Sequence, residues 1–380
     1  MRSVNRFWNW FWISALALAA AVLVAQEGPL TGGQGPNRDA GETVARPKKK
    51  APEPSAPAAV RPKPRAALPK DLPTFESTTN LVSVEVAVLD SRGNFIPNIP
   101  PGNFLVLEDN VPQKVLKFGP SEAPMTVCLV IEFSNLFQQY WTESWYQTLT
   151  AAYGFLETLR PEDYVAVVAY DLRSEILSDF SQDKRKAQEA MQRLRIAAYS
   201  ESNLFDALTD TIDRMKEIEG RKAIVVIASG LDTFSKLTFD KTRTLVQTGG
   251  TAIYAIGLMQ ALREWYDARG ALGPIQRMDF LQADNQMRTF AKESGGVAFF
   301  PRFYGEFPSI FGQISSSLRN QYALAYNPTN QARDGKFRKL RVQLVDPQTN
   351  KELRITDQKG KNVKYQILAK AGYTAPREVE

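Results

Sequence analysis

Residues 126–137 read TVCLVIEFSNLF, an apolar run that meets a carboxylate, Glu132, and a hydroxyl, Ser134, in quick succession. Unbroken apolar runs bounded by polar residues fit strands covered on both faces, and YVAVVAY at 164–170 and AIVVIAS at 223–229 have the same character. Together with TAIYAIG they give four strands, at 126–132, 164–170, 222–229 and 251–257. Between them lie stretches of helical pattern, TESWYQTLTAAYGFLETL, DKRKAQEAMQRL, NLFDALTDTIDRMKEI and NQMRTFAKES. Alternation of this kind predicts a doubly wound, mostly parallel α/β sheet with helices on either face. The ligand site of such a sheet lies beyond the carboxyl ends of its central strands. Glu132 and Ser134 emerge there from one strand and Ser229 from another, while Ser202 stands just ahead of a helix, so the four can converge on one crevice.

The flanks have a different period. LVSVEVAVLD (81–90) sets Val82, Val84, Val86 and Val88 on one face against Ser83, Glu85 and Ala87 on the other, the alternation of a half-buried strand. NFLVLEDNVPQKVLKF adds a second strand broken by hairpin residues at 108–110, and QYALAYN, KFRKLRVQLVD, KELRIT and VKYQILAK follow near the C-terminus between turn-forming stretches. Two β-rich ends around an α/β middle predict a small β-sandwich-like domain with the α/β unit inserted into it. The expected division is 76–120 and 319–376 for the β-domain, 121–318 for the α/β domain, and a short tail at 377–380.

Ahead of these lies a part with no core-forming pattern. Arg2 and Arg6 precede WFWISALALAAAVLVAQ, so residues 1–25 read as a signal peptide, with small residues for cleavage after Ala21 or Ala25, or as a retained membrane anchor with Trp8, Trp10 and Trp12 at the interface. Either way the chain is expected to be exported: periplasmic, at the cell surface or secreted. Residues 26–75 form a proline-rich basic linker. Arg46–Lys70 holds seven prolines and eight basic residues against one acid, Glu53, a composition that favours extended polyproline backbone and offers a contact for an anionic surface. This segment alone outweighs the net charge of +6, so the rest is nearly neutral and no nucleic-acid face is expected.

Composition removes many activities. There is no histidine in 380 residues, which eliminates Ser-His and Cys-His pairs and the commonest transition-metal ligand. The single cysteine, Cys128, sits inside the first apolar run and reads as a small buried hydrophobe. A serine hydrolase with Ser134 or Ser229 as nucleophile and Glu132 as base is the catalytic alternative, and no oxyanion arrangement or Ser-x-x-Lys motif supports it. No phosphate-cradling glycine loop follows a strand.

The order and spacing of MTVCLVIEFSNL, PEDYVAVVAYD, SNLFDALTDTIDRM, GRKAIVVIASGLDTFS and GGTAIYAIGL, with the flanking strands, resemble the von Willebrand factor type A domain, in particular the exported bacterial form with flanking β-strands known from acidobacterial proteins. The resemblance spans about residues 79–376. It implies a non-catalytic protein-binding, adhesion or assembly module with a protein partner in the cell envelope. It also implies a metal-ion-dependent adhesion site of the form D-x-S-x-S, a threonine and a distal aspartate. On this chain Glu132 takes the first aspartate's place, Ser134 matches the first serine, Leu136 replaces the second, Ser202 replaces the threonine and Ser229 the distal aspartate. Leu136 removes an oxygen, Ser229 removes a charge, and Glu132 is longer by one methylene, roughly 1.5 Å, in a site where Mg²⁺ demands near-octahedral oxygens. The expectation is a degenerate site with no tight cofactor. The alternative is Mg²⁺-dependent adhesion through a site that Asp232 has rebuilt.

Bland readings stand beside these. Ser202 or Asn203 fits an ordinary helix cap with Asp206 in the first turn, and Asp171 fits a turn acid. Phe133, Asn135, Phe137, Trp141, Trp265 and Tyr266 are candidate partner-binding residues, and the cluster Phe133, Phe137, Tyr140, Trp141 and Trp145 is also able to form a core edge at helical spacing. MQALREWYDARGALGPIQRMDF (259–280) reads as a long, functional loop.

Overall fold

The computed structural model describes residues 81–377 except 121–123, 135–148, 150–151, 195–198, 217, 219, 272 and 357–359. The leader and linker readings, and Asn135, Leu136, Phe137, Tyr140, Trp141 and Trp145, lie outside the described residues. Among the described residues no helix is long and apolar enough to cross a membrane.

The apolar runs form the centre of a six-stranded sheet. Its strands are β5 (Met125–Glu132), β6 (Tyr164–Tyr170), β7 (Ser174–Ser181), β8 (Arg221–Ala228), β9 (Ala252–Gly257) and β10 (Ala298–Phe299), in the order β10-β9-β8-β5-β6-β7. All neighbours are parallel except β7, which closes one edge antiparallel to β6. Because strand side chains alternate, Val127, Leu129 and Ile131 of β5 face one layer and Cys128 and Val130 the other, and both layers are packed. The first layer holds the helical residues 152–158 and helices α1 (Lys184–Gln192) and α6 (Phe307–Arg319). The second holds α2 (Leu204–Lys216), α3 (Phe239–Thr248) and α5 (Pro274–Ser294), with α4 (Met259–Asp267) preceding α5. Every residue of β5 is buried, which is why its sequence shows no polar face.

The flanking segments make two four-stranded sheets. One has the order β15-β1-β11-β4, from Tyr365–Leu368, Val82–Asp90, Tyr322–Tyr326 and Val115–Pro120. The other has the order β16-β12-β2-β3, from Gly372–Thr374, Phe337–Leu344, Phe104–Glu108 and Val111–Gln113. Val84, Val86 and Val88 meet Val106, Leu340 and Val342 in one core between the sheets. The α/β unit is thus an insertion between β4 and β11 of a β-sandwich. A two-residue pair, β13 (Ile355–Thr356) with β14 (Asn362–Val363), completes the strands.

The structure corrects three readings. NFLVLEDNVPQKVLKF holds three strands: Asp109 and Asn110 turn back at positive φ, and β3 and β4 belong to different sheets. The supposed loop 259–280 is largely helical, as α4 and the start of α5. Pro274 occupies the first helical position of α5, where its missing N–H costs nothing and its fixed φ suits the helix. The edge strand β7 and helix α6 were not foreseen. SEILSDFS is polar and mostly exposed, and FPSIFGQISSSLR carries proline and glycine within an apolar helix face.

Candidate functional site

The carboxyl ends of β5 and β8 converge on one buried carboxylate. Glu132, the last residue of β5, is about 1% exposed, and Ser134, Ser202 and Ser229 beside it are equally withdrawn from water. Its Oε2 accepts hydrogen bonds from the Ser229 N–H (2.7 Å) and the Ser229 hydroxyl (2.7 Å), and its Oε1 accepts from the Ser134 hydroxyl (2.9 Å). The Ser229 hydroxyl in turn accepts from the Leu231 N–H at 3.1 Å. Gly230 makes this turn possible. Its φ is +82°, and a Cβ there would lie 2.6 Å from Met287 Sδ on α5.

Ser202 is clamped from both sides. Its N–H donates to Thr233 Oγ1 and its carbonyl accepts from the Thr233 N–H, both at 2.8 Å, while Asn203 is tied to the turn after β6 through Asp171 and Leu172 carbonyls. The Ser202 hydroxyl faces Glu132 loosely. It is left, with the Tyr170 hydroxyl, without a well-formed hydrogen bond among the described residues. Tyr170 was missed by sequence reading. The signal was available, because Tyr170 ends β6 directly opposite Glu132 in the parallel register.

Burial pushes the Glu132 carboxyl above its ordinary range, and the hydrogen bonds from Ser229, Ser134 and Ser202 offset only part of that. Burial, reinforced by the Glu132 charge, pushes the Tyr170 hydroxyl well up. No lysine or arginine pairs with Glu132 among the described residues.

Asp232 is committed elsewhere. Its Oδ1 accepts from the Phe205 N–H (3.1 Å) and the Ser235 hydroxyl (2.5 Å), and Ser235 Oγ accepts from the Asp206 N–H (3.2 Å). The start of α2 is therefore capped from the loop after β8, and the side chains of Ser202 and Asn203 do not cap it. Asp206 works in reverse, accepting from the N–H groups of Lys236 and Leu237 at 3.0 Å each to hold the loop. Asp171 is a turn acid, accepting from the Arg173 N–H at 3.0 Å. Phe133 is packed in the α/β core and is not a rim residue, since the backbone after β5 turns it inward. Tyr266 is half-buried on α4, and Trp265 lies on the same helix.

This donor set does not fit a tightly held divalent ion. A hard cation needs lone pairs. Here Glu132, whose oxygens already accept three hydrogen bonds, is the one carboxylate at the crevice not spent on the α2 cap, and every other oxygen beside it is a neutral hydroxyl, so the charge that a divalent ion requires is missing. Among the described residues no three Asp, Glu or Cys side chains gather closely enough to hold a metal.

A family model of the von Willebrand factor type A domain matches residues 129–231. No curated protein matches the chain. Among solved structures the chain is similar to proximal thread matrix protein 1 from the mussel byssus, with 12% identity and a TM-score of 0.42 over 56% of this chain and 51% of that one. This chain thus spans about half the length of the mussel protein. It is also similar to a von Willebrand factor type A protein from Catenulispora acidiphila, with 13% identity and a TM-score of 0.41 over 79% of this chain and 76% of that one. A third is the vWF domain of the type V pili tip protein Mfa5 from Porphyromonas gingivalis, with 13% identity and a TM-score of 0.40 over 52% of this chain and 95% of that one. The doubly wound sheet, the crevice at the ends of β5 and β8 and the match over residues 129–231 make the α/β unit of this chain a von Willebrand factor type A domain.

Proposed function

We propose that the chain is an exported, non-catalytic protein-binding module that docks an envelope partner on the rim above the Glu132 crevice without a bridging metal. The observation that carries this reading is an exposed apolar rim at one end of the sheet. Phe234 stands on the loop after β8, Phe303 on the loop after β10, and Ile275, Met278 and Leu281 on the first turns of α5, all between 47% and 77% exposed. Their common level follows from topology. The end of α5 meets the start of β9, where the Ile253 N–H donates to Ser294 Oγ at 2.8 Å, and Gly230 at the end of β8 abuts Ala283 and Met287. At 1.5 Å per residue the turn around Ile275 stands about 12 Å beyond the strand ends. Large apolar side chains left exposed at one end of the sheet suit a contact surface.

The crevice beneath supports a structural role. Its serines are buried, and its carboxylate is bonded by Ser134 and Ser229, whereas a nucleophile needs an accessible oxygen beside a free base. The arginines ahead of the N-terminal apolar segment support export, and the proline-rich segment suits a stalk that touches anionic polymer or lipid.

Crosslinking capture of envelope proteins with the full chain tests the proposal. The paired substitution Ile275→Asp and Met278→Asp is expected to abolish capture and leave the melting temperature unchanged. Capture indifferent to these changes would overturn the docking surface, and turnover in a broad esterase and peptidase screen would overturn the non-catalytic reading.

A further inference from the structure

A second cleft lies on the β-sandwich. It encloses about 730 Å³ between the start of β1, the loop 327–333 after β11, and β16, a size suited to a small molecule or a short oligomer. The loop is a fixed wall. Gln113, itself buried, donates to Thr329 Oγ1 and accepts from the Thr329 N–H, both at 3.0 Å. The buried Arg338 donates to the Ala332 carbonyl at 3.2 Å and to Asp334 at 2.9 Å.

The lining has one sign of charge. Lys370 and Arg333 contribute to it and no carboxylate does. The Lys370 amine is half-buried and makes no hydrogen bond or ion pair among the described residues. The acid that influences it, Glu85, faces Arg221 at 3.8 Å. A cation partly withdrawn from water whose nearby acid is shared with Arg221 is costly, and burial outweighs the Glu85 charge and pulls the Lys370 amine below its ordinary range. An anion in the cleft would relieve that cost. Ser83 adds a hydroxyl to the lining, and Asn327, Asn330 and Gln331 add amides, a donor and acceptor pairing that sugar hydroxyls require, with Asn330 Oδ1 already accepting from the Ala332 N–H at 3.2 Å. Tyr373, packed against the sandwich core with its hydroxyl donated to Glu108 at 2.9 Å, closes one side of the cleft. No helix N-terminus lines the cleft to cradle a phosphate.

We propose that this cleft binds an acidic saccharide, its carboxylate or sulfate between Lys370 and Arg333 and its hydroxyls on the three amides. The site is separate from the crevice of the α/β domain and independent of the function proposed for it.

Calorimetric titration of the full chain at low ionic strength, with trigalacturonate as probe, tests the assignment. Saturable binding is expected. Lys370→Met and Arg333→Gln should each weaken it by about tenfold or more, while replacing the basic residues of Arg46–Lys70 by serine leaves it unchanged. Neutral galactotriose and inorganic sulfate should each bind far more weakly than trigalacturonate. Absence of saturable binding, equal binding by Lys370→Met and Arg333→Gln, loss of binding only in the linker variant, or sulfate binding as tightly as the trisaccharide would each overturn the proposal. Melting curves of the two cleft variants guard against misfolding, and Arg333, on an exposed loop, carries the test if Lys370→Met unfolds.

Discussion

A buried carboxylate sits at each end of β5, and the two are held by different means. At the start, Asp163 accepts from the Met125 N–H (3.0 Å), the Arg160 N–H (2.7 Å) and Arg319 Nη2 (2.7 Å). At the end, Glu132 accepts three bonds as well, all from uncharged groups of Ser134 and Ser229. Both side chains are about 1% exposed. Burial raises both, but for Asp163 the hydrogen bonds from Met125, Arg319 and Arg160 and the arginine charge win, so its carboxyl lies below its ordinary range. Glu132 stays above its own. Equal numbers of hydrogen bonds therefore give opposite outcomes: Glu132 is set deeper in the protein, so burial outweighs its bonds, whereas the bonds to Asp163, one of them from a charged arginine, outweigh a smaller burial cost. In the metal-dependent version of this domain that the sequence resembles, the cation at the crevice would be an ion. In this chain serines fill the coordination shell of the carboxylate without supplying any charge.

The largest effect is expected at Asp163. Asp163→Ala leaves the Arg319 guanidinium, 18% exposed, without its carboxylate and with only the Thr158 carbonyl, and leaves two N–H groups unpaired, and should cost about 3–5 kcal/mol in urea unfolding. A loss under about 1 kcal/mol would show that solvent takes over the arginine and would break the contrast.

The next effect separates the two ends by pH. Below pH 4.5 Glu132 is protonated in the folded and the unfolded chain. Between that value and its raised folded value, the native state keeps a proton that the unfolded chain has released. Stability therefore falls as pH rises through this window, by up to about 1.4 kcal/mol per pH unit, and then levels off. Asp163 has the reverse sign: its contribution is present above 3.8 and is lost as pH falls through its lowered folded value. Glu132→Gln should remove the first slope and leave the second. Parallel stability profiles of the two proteins from pH 4.5 to neutrality would contradict the account.

A smaller effect is expected beside the crevice. Asp232→Ala removes the distant cap of α2 and should cost about 1 kcal/mol, whereas Ser202→Ala, whose hydroxyl makes no well-formed bond, should stay within about 0.5 kcal/mol. The reverse ranking in thermal melts would restore the local cap.

These contrasts also mark what the sequence could disclose. The central strands were readable because burial on both faces leaves nothing but apolar side chains, and the meeting of Glu132, Ser134, Ser202 and Ser229 followed from their places at strand and helix ends. Asp163 was not readable as an anchor, because PEDY looks like any turn and its partner Arg319 is 156 residues away. The cap of α2 was misread for the same reason, since Asp232 lies 27 residues from the N–H that it accepts. Local pattern also hid α4 and the start of α5, where two glycines and a proline imitate a loop.

The central claim, that hydrogen bonds stand where an ion would, is tested most directly by calorimetric titration of the unmodified chain with Mg²⁺. The account predicts no saturable binding and no melting shift. Binding should appear in a triple variant carrying Glu132→Asp, Leu136→Ser and Ser229→Asp, where an ion at 100 times its Kd would add about 2.7 kcal/mol. Stoichiometric Mg²⁺ binding by the unmodified chain, lost on Glu132→Gln, would contradict it.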